Sequence, residues 1–456
     1  MAVYQNILDM IGDTPMLELN RLDTGQCRVF AKLENLNPGG SVKDRIALRM
    51  VEEAEKEGHL EPGGTIVEAT SGNTGIGLAL IGAQKGYRVI ILIPDKMSAE
   101  KIYHLRALGA EVIVTRSDAP PGHPENYQDM ARRIAGETPG AYYIHQHGNP
   151  HNPETHRDTT GPEIWEQMEH DIDAVVCGIG TAGTLTGVGQ YLRQVAPHVE
   201  MVLADPVGSM VGPFVQTGEL LEAGQWLVEG IGEDELPAVG DLSLITRTYM
   251  ISDQESLDAA RELLRAEGVM GGSSTGTLIA ATLKYCHEQE TPKRVVTFIP
   301  DSGLKYLSKM YNDYWMIDQG FLAREAFGDL RDLIARRHAE RADVIVTAAD
   351  SLLTAYSRMK LYDVSQLPVV EGERIIGVID EADILMAVYA DESHFANPVK
   401  EAMSTNLKTV PSSAALEDLV PILNDGYIPL VVDGDQYHGL VTSIDLLNFL
   451  RRKMRE

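Results

Sequence analysis

The sequence predicts an α/β protein with mainly parallel sheets, followed by a tandem-repeat α/β module. Three observations carry this. β-branched runs alternate with amphipathic helical stretches from about residue 29 to residue 300, glycine-rich turns sit where strand gives way to helix, and one small plan occurs twice near the C-terminus.

Taken in order, TIVEA (65–69) is followed by GIGLALIGAQKG, RVIILIP (88–94) by SAEKIYHLRALG, and DAVVCGIG (173–180) by TLTGVGQYLRQVA; MVLADP (201–206) and RVVTFIP (294–300) complete the series. Such units build parallel sheets whose ligands bind in the loops at the carboxyl ends of the strands. After Trp315 a charged stretch, REAFGDLRDLIARRHAE (324–340), reads as helical. The repeats, LPVVEGERIIGVIDEADIL (367–385) and IPLVVDGDQYHGLVTSIDLL (428–447), lie about 60 residues apart and share a strand, an acidic-glycine turn, a second strand and a helix opening at Ser, Thr or Asp. The expected division is a catalytic part at 1–318, a linker at 319–340 and a repeat module at 341–456, its copies at about 341–395 and 396–456.

Composition narrows the function classes. A hydrophobic share of 44% and a charged share of 23% are those of a globular chain. The formal net charge of −28, from 67 acidic against 39 basic side chains, repels a phosphate backbone, so nucleic acid is not an expected partner. The basic run at 451–453 reads as a solvated helix end. Cys27, Cys177 and Cys286 form no CxxC pattern, which argues against a disulfide framework or zinc knuckle and fits a reducing cytoplasm. The opening MAVYQNILDMIGDTP has no basic export signal and no stretch of 18 apolar residues occurs, so neither export nor a membrane anchor is expected.

Four loops carry the chemistry. In NPGGSVKDR (37–45), Ser41 and Asp44 are spaced as a capping box ahead of Ile46, Met50 and Val51, which places Lys43 in the first helical turn. There the positive end of the helix dipole and partial burial would favour the neutral amine, a usable nucleophile; the alternative is an ordinary surface lysine. In TSGNTG (70–75), glycines and the polar side chains of Ser71, Asn73 and Thr74 at a helix start suit a carboxylate, or form a plain polar turn. GIGTAG (178–183) is literally GxGxxG, with Asp205 ending the next strand, as in dinucleotide sites; Thr181 and Thr184 suit a lone phosphate equally well. GGSSTG (271–276) is a turn between two helical stretches.

Together these segments resemble the fold-type-II pyridoxal-phosphate family, and within it the members that carry a C-terminal Bateman module. The resemblance covers nearly the whole chain. It implies pyridoxal 5′-phosphate as cofactor, Lys43 as the catalytic, Schiff-base-forming lysine, and Asn73 on the cofactor 3′-oxygen. It implies Gly180, Thr181, Ala182, Gly183 and Thr184 as the phosphate cup, with alanine in place of the usual middle glycine, a change that adds only a methyl group and should be tolerated. Thr70, Ser71, Gly72, Thr74 and Gln146 would receive substrate, as would Gly230, Ile231 and Gly232. Ser273 would hydrogen-bond the pyridine nitrogen, and a neutral hydroxyl there makes a weaker electron sink that favours β-elimination over transamination.

The implied reaction is a lyase-type β-replacement that condenses L-serine with L-homocysteine to L-cystathionine, with release of hydrogen sulfide from cysteine as a further activity. O-acetylserine sulfhydrylase is the competing branch: segment 146–163 resembles both, whereas EGIGED (229–234), IPDS (299–302) and the following YNDYWM resemble the cystathionine-forming branch. His147 departs from the tyrosine of animal members. Haem is not expected, because the core opens at residues 4–15. His145, His147, His151 and His156 match no standard zinc spacing, and no metal is expected.

In the repeats, Gly439, Thr442 and Asp445 match a nucleotide-ribose turn, while the first copy has Asp380 at the hydroxyl position. An adenosyl effector such as S-adenosylmethionine or an adenine nucleotide, or a purely dimerising role, follows from this, with a homodimer or higher homo-oligomer as the assembly. Outside the family, 178–183 with Asp205 would fit a nicotinamide-dependent dehydrogenase, and the repeats alone a nucleotide-sensing scaffold.

Overall fold

The computed structural model describes residues 3–120 and 122–453. It divides into two compact units, Met1–Asn312 and Asp313–Glu456.

The first unit holds two sheets. The larger has the order β1-β2-β10-β7-β8-β9, from Met16–Leu19, Arg28–Lys32, Arg294–Phe298, Ala174–Gly178, Glu200–Pro206 and Arg247–Ile251; only the β1/β2 pair is antiparallel. The smaller, β5-β4-β3-β6, is wholly parallel and uses Glu111–Thr115, Arg88–Pro94, Thr65–Ala69 and Ala141–Tyr143. All five residues of β3 are buried, as expected of a parallel strand covered on both faces. The core of the larger sheet includes Val175, Val176, Val202, Leu203, Val295 and Val296. In the smaller half, Ile46, Met50 and Val51 of the helix Lys43–Lys56 pack against Ile66, Ile76 and Ile91. Strands β1, β2, β5, β6 and β9 were not in the predicted series; in β5 only Thr115 is buried and the apolar run is three residues long, against seven residues of which six are buried in β4 beside it.

The second unit carries the two copies, β11 and β12 (Gln366–Glu371, Arg374–Asp380) with the helix Glu381–Val388, and β14 and β15 (Pro429–Asp433, Gln436–Leu440) with the helix Ser443–Lys453; β13 (Lys408–Val410) adds to the second sheet. Val370, Ile375, Leu430 and Tyr437 form a core shared by both copies.

Two sequence expectations are corrected here. The charged stretch 324–340 forms only the 3-10 turns Leu330–Asp332 and His338–Glu340. Gly328 takes a left-handed φ of +76° and the Asp329 carboxylate caps Arg331 N–H, while Arg324 and Arg337 donate to the carbonyls of Ile334, Ala335, Glu325 and Arg331, giving those acceptors partners other than helical amides. Leu330, Leu333 and Ile334 of this stretch pack with Leu419, Val431 and Val441. The basic run at 451–453 is not merely solvated: Arg452 bonds Asp318 at 3.1 Å and Arg451 lies 3.7 Å from the same carboxylate. No helix among the described residues is long and apolar enough to cross a membrane.

Candidate active site

The site is built at the carboxyl ends of the strands of the first unit. A cleft enclosing about 510 Å³, mouth included, is lined by Lys43, the turn 180–184, Gly230, Ile231, Ser274 and Phe298, among others.

Lys43 opens its helix, as its spacing predicts, but not through a Ser41–Asp44 capping box. The N-cap is Val42, with no side-chain cap. Asp44 instead turns back to accept the Gly39 N–H at 2.5 Å, and Ser41 Oγ accepts from Lys43 N–H at 3.2 Å. A Cβ on Gly39 would sit 2.6 Å from Asp44 Oδ1, so the glycine permits the close approach. Burial pushes the Asp44 carboxyl up to about 7.

The Lys43 amine borders the cleft and is otherwise surrounded by protein. Burial lowers it to about 8, against the opposing pull of Glu233 and Cys177. Its Nζ donates to Thr181 Oγ1 at 3.3 Å. An amine at about 8 becomes neutral some two units below an ordinary lysine near 10.4. In apo protein, labelling of Lys43 by an aldehyde and borohydride should therefore rise about tenfold per unit up to about pH 8 and level off above it. A rate still climbing at pH 10, followed by peptide mapping, would show an unperturbed amine.

The turn 180–184 follows β7 and opens the helix Gly183–Val195. Among the described residues, the amides of Thr181, Ala182, Gly183 and Thr184 have no acceptor, leaving a row of bare donors at a helix N-terminus. Ala182 holds φ +64°. The alanine that the sequence treats as one extra methyl thus occupies left-handed backbone, at about 1–2 kcal/mol relative to glycine. Asn152 Nδ2 donates to Thr181 Oγ1 at 2.9 Å, His156 pairs with Thr184 Oγ1 at 3.2 Å, and a Cβ on Gly183 would overlap Asn152 Oδ1. Burial holds His156 well below its usual range, so it is neutral. This donor set of neutral amides and two hydroxyls, with a deprotonatable lysine beside it, fits a phosphate monoester carrying an aldehyde.

The turn 70–72 precedes the helix Asn73–Lys85. Gly72 has φ +123°, and a Cβ there would press on Lys101 Cδ at 2.7 Å. Thr70 Oγ1 accepts from Gly72 N–H, Thr74 Oγ1 donates to Gln146 Oε1 at 2.6 Å, and the amides of Ser71, Asn73 and Thr74 have no partner among the described residues. Asn73 donates to Asp301 Oδ2 at 2.9 Å. Gly230 and Gly232 take φ of +81° and +85°, and Gly232 N–H donates to Ile179 O, docking this loop on the phosphate-type turn. Ser273 opens the helix Ser273–His287 and its Oγ accepts from Glu229 N–H at 2.8 Å; its neighbour Ser274 lines the cleft.

Of the sequence-predicted residues of the first unit, Lys43, the turn 180–184, Gly230 and Ile231 line the cleft, Thr70, Ser71, Gly72, Asn73, Thr74, Gln146, Gly232 and Ser273 lie outside its lining, and Thr442 and Asp445 belong to the second unit. There Thr442 and Asp445 bond each other, Thr442 Oγ1 donating to Asp445 Oδ2 at 2.5 Å, at the start of the helix Ser443–Lys453, and in the first copy Asp380 caps its helix through Asp383 N–H. The histidines disperse: His145 packs on Tyr143, His151 pairs with Glu154, and burial lowers His147 to about 4. Asp205 is buried and accepts Gly212 N–H at 2.7 Å, so it is spent inside the protein and does not face a ribose.

Sequence reasoning missed several buried polar groups around the cleft. Glu229 holds Lys101 at 2.7 Å and Lys309 at 2.5 Å, Lys101 lies over the Tyr306 ring, and Lys305 donates to Asn73. Their partners are remote in sequence, and no local pattern singles them out among the 39 basic residues.

Residues 7–301 match the family described as pyridoxal-phosphate dependent enzyme. The chain belongs to this family. Residues 332–390 and 399–452 of this pyridoxal-phosphate enzyme match the CBS domain. Over 463 residues it is 37% identical to cystathionine beta-synthase of Apis mellifera, covering 99% of this chain and 91% of that protein. Cysteine synthase A of Salmonella typhi is 38% identical over 309 residues, covering 67% and 94%. Among solved structures, a hydrogen sulfide-producing enzyme from Fusobacterium nucleatum aligns with a TM-score of 0.63 at 36% identity, covering 67% of this chain and 100% of that one. The pyridoxal-phosphate enzyme is accordingly a lyase of fold type II with C-terminal CBS domains, and its activity class is β-replacement. The nicotinamide reading is overturned by this membership and by the buried Asp205.

Proposed function

We propose that this enzyme condenses L-serine with L-homocysteine to L-cystathionine, with Lys43 as its catalytic lysine. The observation that carries the reading is a buried amine drawn down to about 8 beside a turn of unpaired amides. The cofactor, when bound, supplies an electron sink for charge left at the substrate Cα. The turn 180–184 would hold its phosphate, Asn73 its 3′-oxygen and Ser273 its ring nitrogen. Ser71, Asn73 and Thr74 amides, with Thr70 and Gln146 behind them, would bind and orient the substrate carboxylate, and the loop Gly230, Ile231 and Gly232 would close on the second substrate. Lys43 Nζ would take the proton from Cα and deliver it to the departing hydroxyl, which leaves as water, then take the thiol's proton as the thiol adds at the β-carbon and return that proton to Cα. A group with that double duty works best when it titrates near the operating pH, which the lowered amine does.

The likeness to cysteine synthase A favours a second reading, sulfide addition to O-acetylserine. Product analysis decides between them. Serine plus homocysteine should give cystathionine faster than O-acetylserine plus sulfide gives cysteine; the reverse order would replace the first reading with the second.

The second copy of the CBS pair would hold an adenosyl effector through Thr442 and Asp445. Calorimetry of the double variant Thr442→Ala/Asp445→Ala with S-adenosylmethionine should show affinity reduced by about tenfold or more, the loss of one or two hydrogen bonds to a ribose. Undiminished affinity would move the effector elsewhere. The assembly is proposed to be a homodimer or higher homo-oligomer in the cytoplasm.

A further inference from the structure

We infer that Lys305 is a positioning residue that decides which end of the Asn73 side-chain amide faces the cofactor; this rests on the reading of Asn73 as the partner of the 3′-oxygen.

Lys305 is only 5% exposed. An ammonium has three donors and no acceptor, and here all three are used: Nζ lies 2.8 Å from Asn73 Oδ1, 3.0 Å from Gly39 O and 3.1 Å from Gly40 O. On the opposite side, Asn73 Nδ2 donates to Asp301 Oδ2 at 2.9 Å. That carboxylate oxygen also receives the Tyr306 hydroxyl at 2.7 Å. Asn73 is therefore read at both ends, by a group that only donates and by a group that only accepts.

A carboxamide is nearly symmetric in shape, and its two orientations differ only through such partners. Turning Asn73 over would set its NH₂ against the Lys305 ammonium and its oxygen against the Asp301 carboxylate, two like-with-like contacts in a buried place. In the orientation held, Nδ2 spends one proton on Asp301 and keeps the second for a ligand oxygen. Through Gly39 and Gly40, the same ammonium anchors the segment that leads to Lys43. One side chain, far along the chain from both, thus sets the donor at one edge of the cofactor and the approach of the amine at the other.

The test reads the absorption of cofactor-loaded full-length protein without substrate. An amide proton on the 3′-oxygen favours its deprotonated form and the long-wavelength visible band; losing that proton favours the near-ultraviolet band. Asn73→Ala and Lys305→Met should each lower the visible-to-near-ultraviolet ratio, on the order of threefold or more for one hydrogen bond to a charged oxygen. The double variant should go no further than either single one. A Lys305→Met ratio equal to wild type while Asn73→Ala is shifted, or additive shifts, would overturn the inference. An unshifted Asn73→Ala would overturn the reading of Asn73 beneath it, and a wild type without a visible band would overturn the reading of Lys43. If Lys305→Met does not fold, as judged by circular dichroism, Lys305→Gln serves. With no obligate donor it should shift the ratio in the same direction, and a folded, loaded Lys305→Gln protein with the wild-type ratio would overturn the inference.

Discussion

Lys43→Ala should lose turnover by about 10²–10⁴-fold or more, the range for removing a positioned proton-transfer group, and should carry no borohydride-stable pyridoxyl label at position 43. The size of the loss follows from the geometry. Lys43 Nζ is the amine that borders the cleft beside the bare amides of 180–184, and it is held there by Thr181. The other buried amines near the cleft are committed elsewhere: Lys305 to two carbonyls and Asn73, and Lys101 to Glu229. Neither is free to take the proton. Because the phosphate-type turn is built from backbone donors, the variant should still bind the cofactor noncovalently, which equilibrium dialysis would measure. Wild-type turnover in Lys43→Ala would sink the assignment.

Arg45→Met should lower the stability of the first unit by about 3–5 kcal/mol, the cost of removing one partner from a buried ion pair. Arg45 is bound by Glu34 Oε2 at 2.8 Å and by Glu163 Oε1 at 2.6 Å, and Lys32 adds a 2.8 Å contact to Glu163. Glu34 is fully buried, so without the guanidinium its charge has no water to turn to. Urea unfolding followed by the fluorescence of Trp165 and Trp226 reports on this unit. Adding Glu34→Gln to Arg45→Met should restore part of the loss, since it removes the stranded charge; a strictly additive double variant would contradict the argument.

The same network has a pH signature. Burial would raise the Glu163 carboxyl, but Arg45 and Lys32 outweigh it and hold it down at about 2. A folded-state value below the unfolded one, near 4.3, means that this contribution is complete above about pH 4.3 and is lost as pH falls toward 2. In Arg45→Met the Glu163 value should lie closer to the unfolded one, so this acid-dependent loss should shrink and the acid limb of the stability curve should become shallower.

Much of the site was legible without coordinates, and particular residues show why. Lys43, Gly72, Asn73, Gly180, Gly183 and Thr184 lie in loops where strand passes into helix, and the requirements there are local. Bare amides come from the helix start, and left-handed backbone or close approach asks for glycine, as at Gly72. Where the helix-start and periodicity rules misled, a competing partner a few residues away had intervened. Asp44 left the capping box for Gly39 N–H, and the charged stretch 324–340 gave up helix once arginines from the same stretch bonded its carbonyls.

By itself, the order of residues along the chain determined the βαβ alternation, the repeated module and the four loops, because periodicity, glycine placement and helix-start chemistry all act over a few neighbouring residues. Only the tertiary structure decided how those loops are held. Lys305 reaches Asn73 across 232 positions, Asn73 meets Asp301 across 228, and Lys101 meets Glu229 across 128. Buried charges find their counterparts through space and burial, quantities that no stretch of sequence contains until the sheets bring the segments together.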